Sequence, residues 1–364
     1  MTGTERLRNL FRYFAVTQCR GRSPVYETLS NGVIDDDTLL DLLLRTPADQ
    51  RRPSLLFAAV NHLLRAHPDA PLAAYYPIHG GARPADDELV PTFAAFCQEH
   101  AEELARLLRD GSTQTNDIRR CVALRVALEH VRRRRPGPLA LVEVGASAGL
   151  NLMFDRYGYP GTPNVSPVSI SCELRGPVDL GPMPEITSRL GVDLNPITLT
   201  DPDQRAWLEA FIWPEDTDGL ATLRNAVDLA LSTGAATVVR GDATTDTAAL
   251  LAALPGDEPV AVFTASLLSY LDTDARTAFA GQLREAVRDR PVAWVFAESP
   301  GLVATAGLDL PALNGPLARR NGLYVVGASL SDDGDSLLGL ADPYLRWLAP
   351  ARHPSDDFRW LPTP

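Results

Sequence analysis

The chain contains no lysine, so arginine supplies all 34 of its Lys+Arg positives. Without lysine the protein cannot form its own Schiff base, which removes pyridoxal-phosphate enzymes and lysine-dependent aldolases. Nor can it supply the lysine of a Walker-type phosphate loop or of a kinase. Cysteine is sparse: Cys19, Cys97, Cys121 and Cys172 include no Cys-x-x-Cys pair, and no histidine stands at ligand spacing from them. They read as reduced thiols, with no zinc site and no other metal expected. A run of about eighteen apolar residues, the length a membrane helix needs, is also lacking. Residues 1–21 mix Glu5, Arg6, Arg8 and Arg12 among apolar neighbours, unlike the apolar core and cleavage site of a secretory signal. The expectation is a cytoplasmic protein without a membrane partner.

Excess positive charge is missing too. The formal net charge is −12, which repels nucleic-acid phosphates unless one face is locally basic. The one basic run, Arg132–Arg135, has no aromatic or polar residues interleaved and reads as a solvated helix end. No nucleic-acid partner is expected. The composition, 45% hydrophobic and 22% charged over 364 residues, is that of a globular chain of about two structural units.

The first 135 residues carry helical periodicity. Leu7, Leu10, Phe11 and Phe14 share one face, as do Leu55, Leu56, Ala59, Val60, Leu63 and Leu64. A third stretch runs from Phe93 to Leu108 and a fourth from Ile118 to Val131, the latter with Thr115 or Asn116 as its expected N-cap. After Pro136-Gly137-Pro138 the rhythm changes to short apolar runs alternating with helical patterns, the signature of an α/β domain with a mostly parallel sheet. The expected strands are 139–144, 191–194, 236–239, 260–263, 292–297, 323–329 and 336–340, with helices over 203–231 and 274–288. Asp332-Asp333-Gly334 signals a closing hairpin. The expected division is a helical domain, 1–135, and an α/β domain, 136–364, with a Pro- and Gly-rich insertion at about 159–190.

The segment Leu141-Val-Glu-Val-Gly-Ala-Ser-Ala-Gly-Leu-Asn151 takes a buried strand into a glycine-containing turn and an expected helix. Gly145 and Gly149 permit close backbone approach. Glu143 is a carboxylate at the end of an apolar strand, a costly placement without partners. Three readings compete. A dinucleotide site would want Gly-x-Gly-x-x-Gly, and Glu143 would face anionic phosphates. Gly145-Ala146-Ser147-Ala148-Gly149 also matches the Gly-x-Ser-x-Gly elbow of α/β-hydrolases, with Ser147 as nucleophile. That reading needs a later histidine, and only His353 follows. Third, the segment resembles the nucleotide-side loop of Rossmann-like S-adenosylmethionine-dependent methyltransferases. The resemblance implies a seven-stranded sheet ending in a hairpin, with S-adenosylmethionine as cofactor. It also implies that Glu143 engages the methionine end of that cofactor, beside Gly145, Ala146, Ser147, Gly149 and Asn151.

Later segments fit the same resemblance. Gly191-Val192-Asp193-Leu194 is a strand ending in an acid, which by resemblance holds the ribose hydroxyls; Glu173 is the rival for that role. Asp242, followed by Ala243 after the strand Val238-Val239-Arg240, would accept from the adenine amino group. Thr264 and Glu298, at the ends of the next two strands, face the same side.

Several stretches together resemble an uncharacterised bacterial family, domain of unknown function 2332. They are Ser23-Pro24-Val25-Tyr26, Tyr75-Tyr76-Pro77, Gln114-Thr115-Asn116 with Arg120-Cys121, 142–152, 191–196, Trp213-Pro214-Glu215 and Val239-Arg240-Gly241-Asp242. Members commonly carry His after Phe in the fourth-strand motif, where this chain has Thr264. Asn116 and Arg120 become candidate cofactor-lining residues, with helix capping as the alternative.

Methyl transfer is an in-line displacement for which the protein chiefly supplies alignment. An oxygen acceptor needs a base nearby, for which Glu298, His79 and Tyr157 are the candidates, with His62 a further possibility. The helical domain would act as a lid over a small-molecule acceptor. The expected function is O- or N-methylation of such an acceptor, with homodimerisation open. The alternatives are a hydrolase using Ser147 and a non-catalytic cofactor-binding or scaffold protein.

Overall fold

A computed structural model of the chain describes residues 3–162, 166–288, 290–352 and 358. His353, on which the hydrolase reading depends, lies outside them. The chain divides into two compact units, Met1–Thr115 with Thr198–Arg224, and Asn116–Ile197 with Asn225–Pro364. The boundary therefore falls near residue 115 rather than 135, and the first unit recruits a second segment from deep in the chain.

The first unit is helical: α1 (Gly3–Phe14), α2 (Pro24–Ile34), α3 (Asp37–Leu44), α4 (Pro53–Ala66), α5 (Leu89–Glu99) and α6 (Ala101–Asp110), joined by α8 (Pro202–Glu209). The periodic residues Leu7, Phe11, Phe14, Leu55, Leu56, Ala59, Val60 and Leu64 are all buried. Starts follow local chemistry. Ser23 caps α2 by accepting the Tyr26 N–H at 3.0 Å, with Pro24 in the first turn, and Asp36 caps α3. Three segments singled out by resemblance meet here. The Val25 N–H donates to Glu215 Oε1 at 3.0 Å, the Ile78 N–H donates to the Pro214 carbonyl at 3.0 Å, and Tyr26 packs on both Tyr76 and Trp213. Their chemistry is that of a packing knot.

The second unit is a sheet flanked by helices. Its strands are β1 (Leu139–Val144), β2 (Glu173–Leu174), β3 (Ile186–Asp193), β4 (Thr237–Arg240), β5 (Val260–Ala265), β6 (Val292–Glu298), β7 (Tyr324–Leu330), β8 (Gly334–Ala341) and β9 (Trp347–Pro350). They form one nine-stranded sheet in the order β2-β9-β8-β7-β6-β5-β1-β3-β4. The run β4-β3-β1-β5-β6 is parallel, and β7, β8 and β9 pair antiparallel. Every residue of β1, β5 and β6 is buried, as central parallel strands covered on both faces require. α7 (Cys121–Arg134) packs on β6 and β7, and the helix Thr273–Ala286 on β6.

Four expectations are corrected. The sheet has nine strands, not seven. The extra β2 is a two-residue strand inside the Pro- and Gly-rich stretch, and β9 follows the hairpin β7–β8. The single helix expected over 203–231 is two, α8 and α9 (Thr217–Thr233), parted around Pro214, which cannot continue a helix. After the glycine turn comes a 3₁₀ segment, Leu150–Arg156, in place of an α-helix. Neither Thr115 nor Asn116 caps the fourth helix. Asp117 accepts the Arg119 N–H at 3.0 Å and starts a 3₁₀ turn that leads into α7. The arginine run does close α7 at the surface, and its charges are paired: Arg132 and Arg133 with Glu129, Arg134 with Asp333 and Arg135 with Asp332. No helix among the described residues is long and apolar enough to cross a membrane.

Candidate functional site

In the parallel half of the sheet the chain runs outward from β1 to β3 and β4, then crosses back to β5 and β6 on the other side of β1. Such a reversal opens a crevice beyond the carboxyl ends of the strands, where ligands of open α/β sheets bind. The sequence-marked residues gather there.

The loop after β1 is stitched to the end of β3. The N–H groups of Gly145 and Ala146 both donate to the Val192 carbonyl, at 2.8 and 3.1 Å. The Ser147 N–H donates to Asp193 Oδ2 at 2.8 Å, and Asp193 Oδ1 accepts from the Asn195 N–H at 2.8 Å. Gly145 (φ +82°), Ser147 (φ +51°) and Gly149 (φ +72°) all adopt left-handed backbone. For serine that conformation is strained by about 1–2 kcal/mol. A Cβ on Gly149 would meet Val238 Cγ2 at 2.7 Å, so glycine is required for the loop to lie on β4.

Below the loop sits a buried polar cluster. Glu143 is only 2% exposed; its Oε1 accepts from Asn151 Nδ2 at 2.7 Å, while its buried Oε2 has no partner. Burial pushes its carboxyl up to about 8, although the Asn151 bond and the Arg120 charge pull the other way. Asn116 Oδ1 accepts the Leu150 N–H at 3.0 Å, tying the start of the α7 region to the loop. Arg120 is buried, reaches the Ala265 carbonyl with Nη1 at 3.4 Å, and acts electrostatically on Glu143, Glu298 and Tyr324.

Glu298, fully buried at the end of β6, accepts the Leu267 and Leu268 N–H groups at 2.9 and 3.3 Å. Burial raises its carboxyl to about 8 as well, against those two bonds, Thr264 and Arg120. Asn116, Arg120, Glu143, Gly145, Ala146, Ser147, Gly149, Asn151 and Asp193 thus form one connected site, and Glu298 joins it through Arg120. Three carboxyls, Asp193, Glu143 and Glu298, thus share the cluster with one guanidinium, that of Arg120. Leu194, 58% exposed directly after Asp193, offers an apolar surface at the rim.

The remaining sequence-marked residues stand beside this cluster or outside it. Asp242 is half-buried beyond β4, and its Oδ1 accepts both the N–H and the hydroxyl of Thr244 at 2.7 Å; Ala243 is buried behind it. Thr264 is buried, and its hydroxyl accepts from Trp294 Nε1 at 3.0 Å, so it serves packing beneath the site. Tyr157 donates its hydroxyl to the Leu150 carbonyl at 2.7 Å, and burial raises its pKa well above 10. A phenol so committed is a brace for the loop rather than a base. His79 lies in the helical unit. Asn61 donates Nδ2–H to the Ala210 and Ile212 carbonyls, which leaves its Oδ1 to accept from His79 Nε2 at 2.7 Å. Burial lowers the His79 pKa, and the ring is a structural partner in that network. His62 is also in that unit, against Trp207. Glu173 stands on β2, at the opposite edge of the sheet from β3, paired with Arg175. The structure therefore leaves Asp193 alone beside the loop.

Two more residues join the site. Ser266, left-handed at φ +67° after β5, shares a hydrogen bond with the hydroxyl of Tyr324 on β7. In the sequence Ser266 only closes the strand-end run Phe263-Thr264-Ala265-Ser266, and nothing marks Tyr324.

A family model described as "Uncharacterized protein conserved in bacteria (DUF2332)" matches residues 8–349. The chain belongs to that family. The match runs through both units of this DUF2332 member, so the helical unit is part of what the family shares. No curated protein matches the chain.

Proposed function

We propose that this DUF2332 protein binds S-adenosylmethionine at the carboxyl ends of β1, β3 and β4 and methylates an oxygen or nitrogen of a small molecule. The observation that carries the reading is Glu143: a buried carboxyl with one oxygen unpartnered, at a strand end under a left-handed glycine loop. Leaving such an oxygen unsatisfied costs about 1–3 kcal/mol, and a cationic ammonium would remove that penalty. Three carboxyls share the cluster with one guanidinium, and Glu143 gives up its proton to an incoming ammonium, which suits a ligand with both ammonium and sulfonium. Asp193, half-exposed and held by two backbone N–H groups, still has lone pairs for a ribose diol. Leu194 can underlie a flat base. The cofactor supplies an activated methyl group; the chain's residues align acceptor and sulfonium and keep water away. Among the candidate bases, Glu298 alone stands in the cluster, and with its carboxyl raised to about 8 it becomes a proton acceptor only on the alkaline side of neutrality.

Calorimetric titration of cofactor-stripped protein with S-adenosylmethionine and S-adenosylhomocysteine tests this. Binding is expected, weakened on the order of tenfold or more by Asp193→Ala and unchanged by Glu173→Ala. Silence at high micromolar ligand would sink it. One observation favours a second reading: Ser147 has the strained backbone of a nucleophile elbow. Against it, Ser147 Oγ is buried with no hydrogen-bond partner, and among the described residues no histidine reaches it. Covalent labelling of Ser147 by a fluorophosphonate would replace the methyltransferase reading with the hydrolase one.

A further inference from the structure

Two histidines and a glutamate converge in the helical unit, far in sequence from the loop that carries the proposed cofactor site. His67 closes α4, donating its N–H to the Leu64 carbonyl at 3.1 Å. His100 is the joint between α5 and α6, its carbonyl accepting the Leu104 N–H at 2.9 Å. Glu103 follows one turn into α6. The imidazoles of His67 and His100 lie with centroids 4.3 Å apart, tilted by 44°. Phe96 buttresses both, at 4.4 Å from His100 and 6.2 Å from His67. His100 Nδ1 is 3.7 Å from Glu103 Oε1, and one ligand atom from each of the three residues lies within 4.8 Å of the others.

Those separations are close to what a metal ion demands. Ligand bonds of about 2.0–2.1 Å in tetrahedral geometry place donor atoms roughly 3.3 Å apart. The His100–Glu103 pair, at 3.7 Å, is slightly wider than that, so an ion would draw the side chains together. All three residues are half-buried. We propose that His67, His100 and Glu103 form a divalent transition-metal site, with zinc the best fit to two imidazoles and a carboxylate and with water as fourth ligand. The ion would add a tie between the end of α4 and the start of α6, which also pack together through the apolar core. The four cysteines are not among the ligands. The proposal stands independently of the cofactor reading.

The bland alternative is an aromatic cluster in which the histidines merely stack on Phe96, and the variants are chosen to separate the two. Protein stripped with chelator is titrated with Zn2+ and, separately, with Co2+, whose visible absorption reports a tetrahedral-type ligand field. Wild type is expected to bind one ion per chain at micromolar or tighter affinity and to melt at higher temperature with Zn2+. His67→Phe keeps a ring against Phe96 but removes a ligand; Glu103→Gln changes a partly exposed side chain and leaves both rings in place. Each is expected to weaken Zn2+ binding tenfold or more and to abolish the Zn2+-dependent rise in melting temperature, with helical circular dichroism retained. No Co2+ absorption in wild type would overturn the site. So would undiminished Zn2+ affinity in Glu103→Gln, which folds irrespective of His67 packing.

Discussion

Glu143 and Glu298 are carboxyls that burial pushes up to about 8, from an ordinary value of 4.5. A group whose folded pKa is raised is protonated in the native state while the unfolded chain has already ionised. Its stabilising contribution is complete below pH 4.5 and is lost as pH rises through about 8. The melting temperature of ligand-free protein is therefore expected to fall across that window, with Glu298→Gln flattening the slope. A melting temperature that rises with pH there would contradict the assignment. The same sign governs binding. An ammonium meets Glu143 only in its ionised form, so cofactor uptake at pH 7 should release on the order of one proton. Calorimetry in buffers of different ionisation heat would register that proton, and Glu143→Gln should abolish it.

At the scale of elements, the loop after β1 depends on conformations that only some residues tolerate. Gly149→Ala combines a left-handed φ with a 2.7 Å approach to Val238 and is expected to destabilise by about 1–2 kcal/mol from backbone alone, more from overpacking. Ser147→Gly should do the reverse, raising stability by up to about 1 kcal/mol while leaving S-adenosylhomocysteine affinity intact, as chemical denaturation and calorimetry would show. If Ser147 were a nucleophile, that change would instead erase all activity.

These elements also show what the sequence discloses. β1, β5 and β6 are legible because their apolar runs are buried on both faces, and Glu143 is legible because it interrupts such a run. β2 is hidden because two residues carry no period. The break between α8 and α9 hides inside a continuous helical pattern, though Pro214 marks it in retrospect. Asn116 looks like a cap because caps and long-range acceptors use the same amide; only the fold shows its oxygen bonded to Leu150. Ser266 and Tyr324 meet through tertiary structure alone.

At the scale of the molecule, an arginine-only, acidic chain uses its densest basic run internally. Arg134 and Arg135 hold Asp333 and Asp332 in the turn between β7 and β8, with Ser331 as a further acceptor for Arg135. Pairs this exposed are worth at most about 1 kcal/mol each and are screened by salt. Arg134→Ala with Arg135→Ala should lower the melting temperature slightly at low ionic strength and hardly at all in about 1 M salt. A large, salt-independent loss would mean that the contacts act through packing.

The sheet's two borders carry a consequence for how the protein behaves in a crowd. An exposed border strand invites backbone pairing with a stranger, and long flat ones seed aggregates. Here one border is β2, two residues long and bracketed by Glu173 and Arg175, whose guanidinium lies 4.3 Å over the Trp347 ring. The other is β4, four residues ending in Arg240. Each is too short and too charged to template a further strand. The small segment around Glu173 therefore acts as a cover for β9, and its removal would bare Trp347–Pro350 to recruitment by other chains.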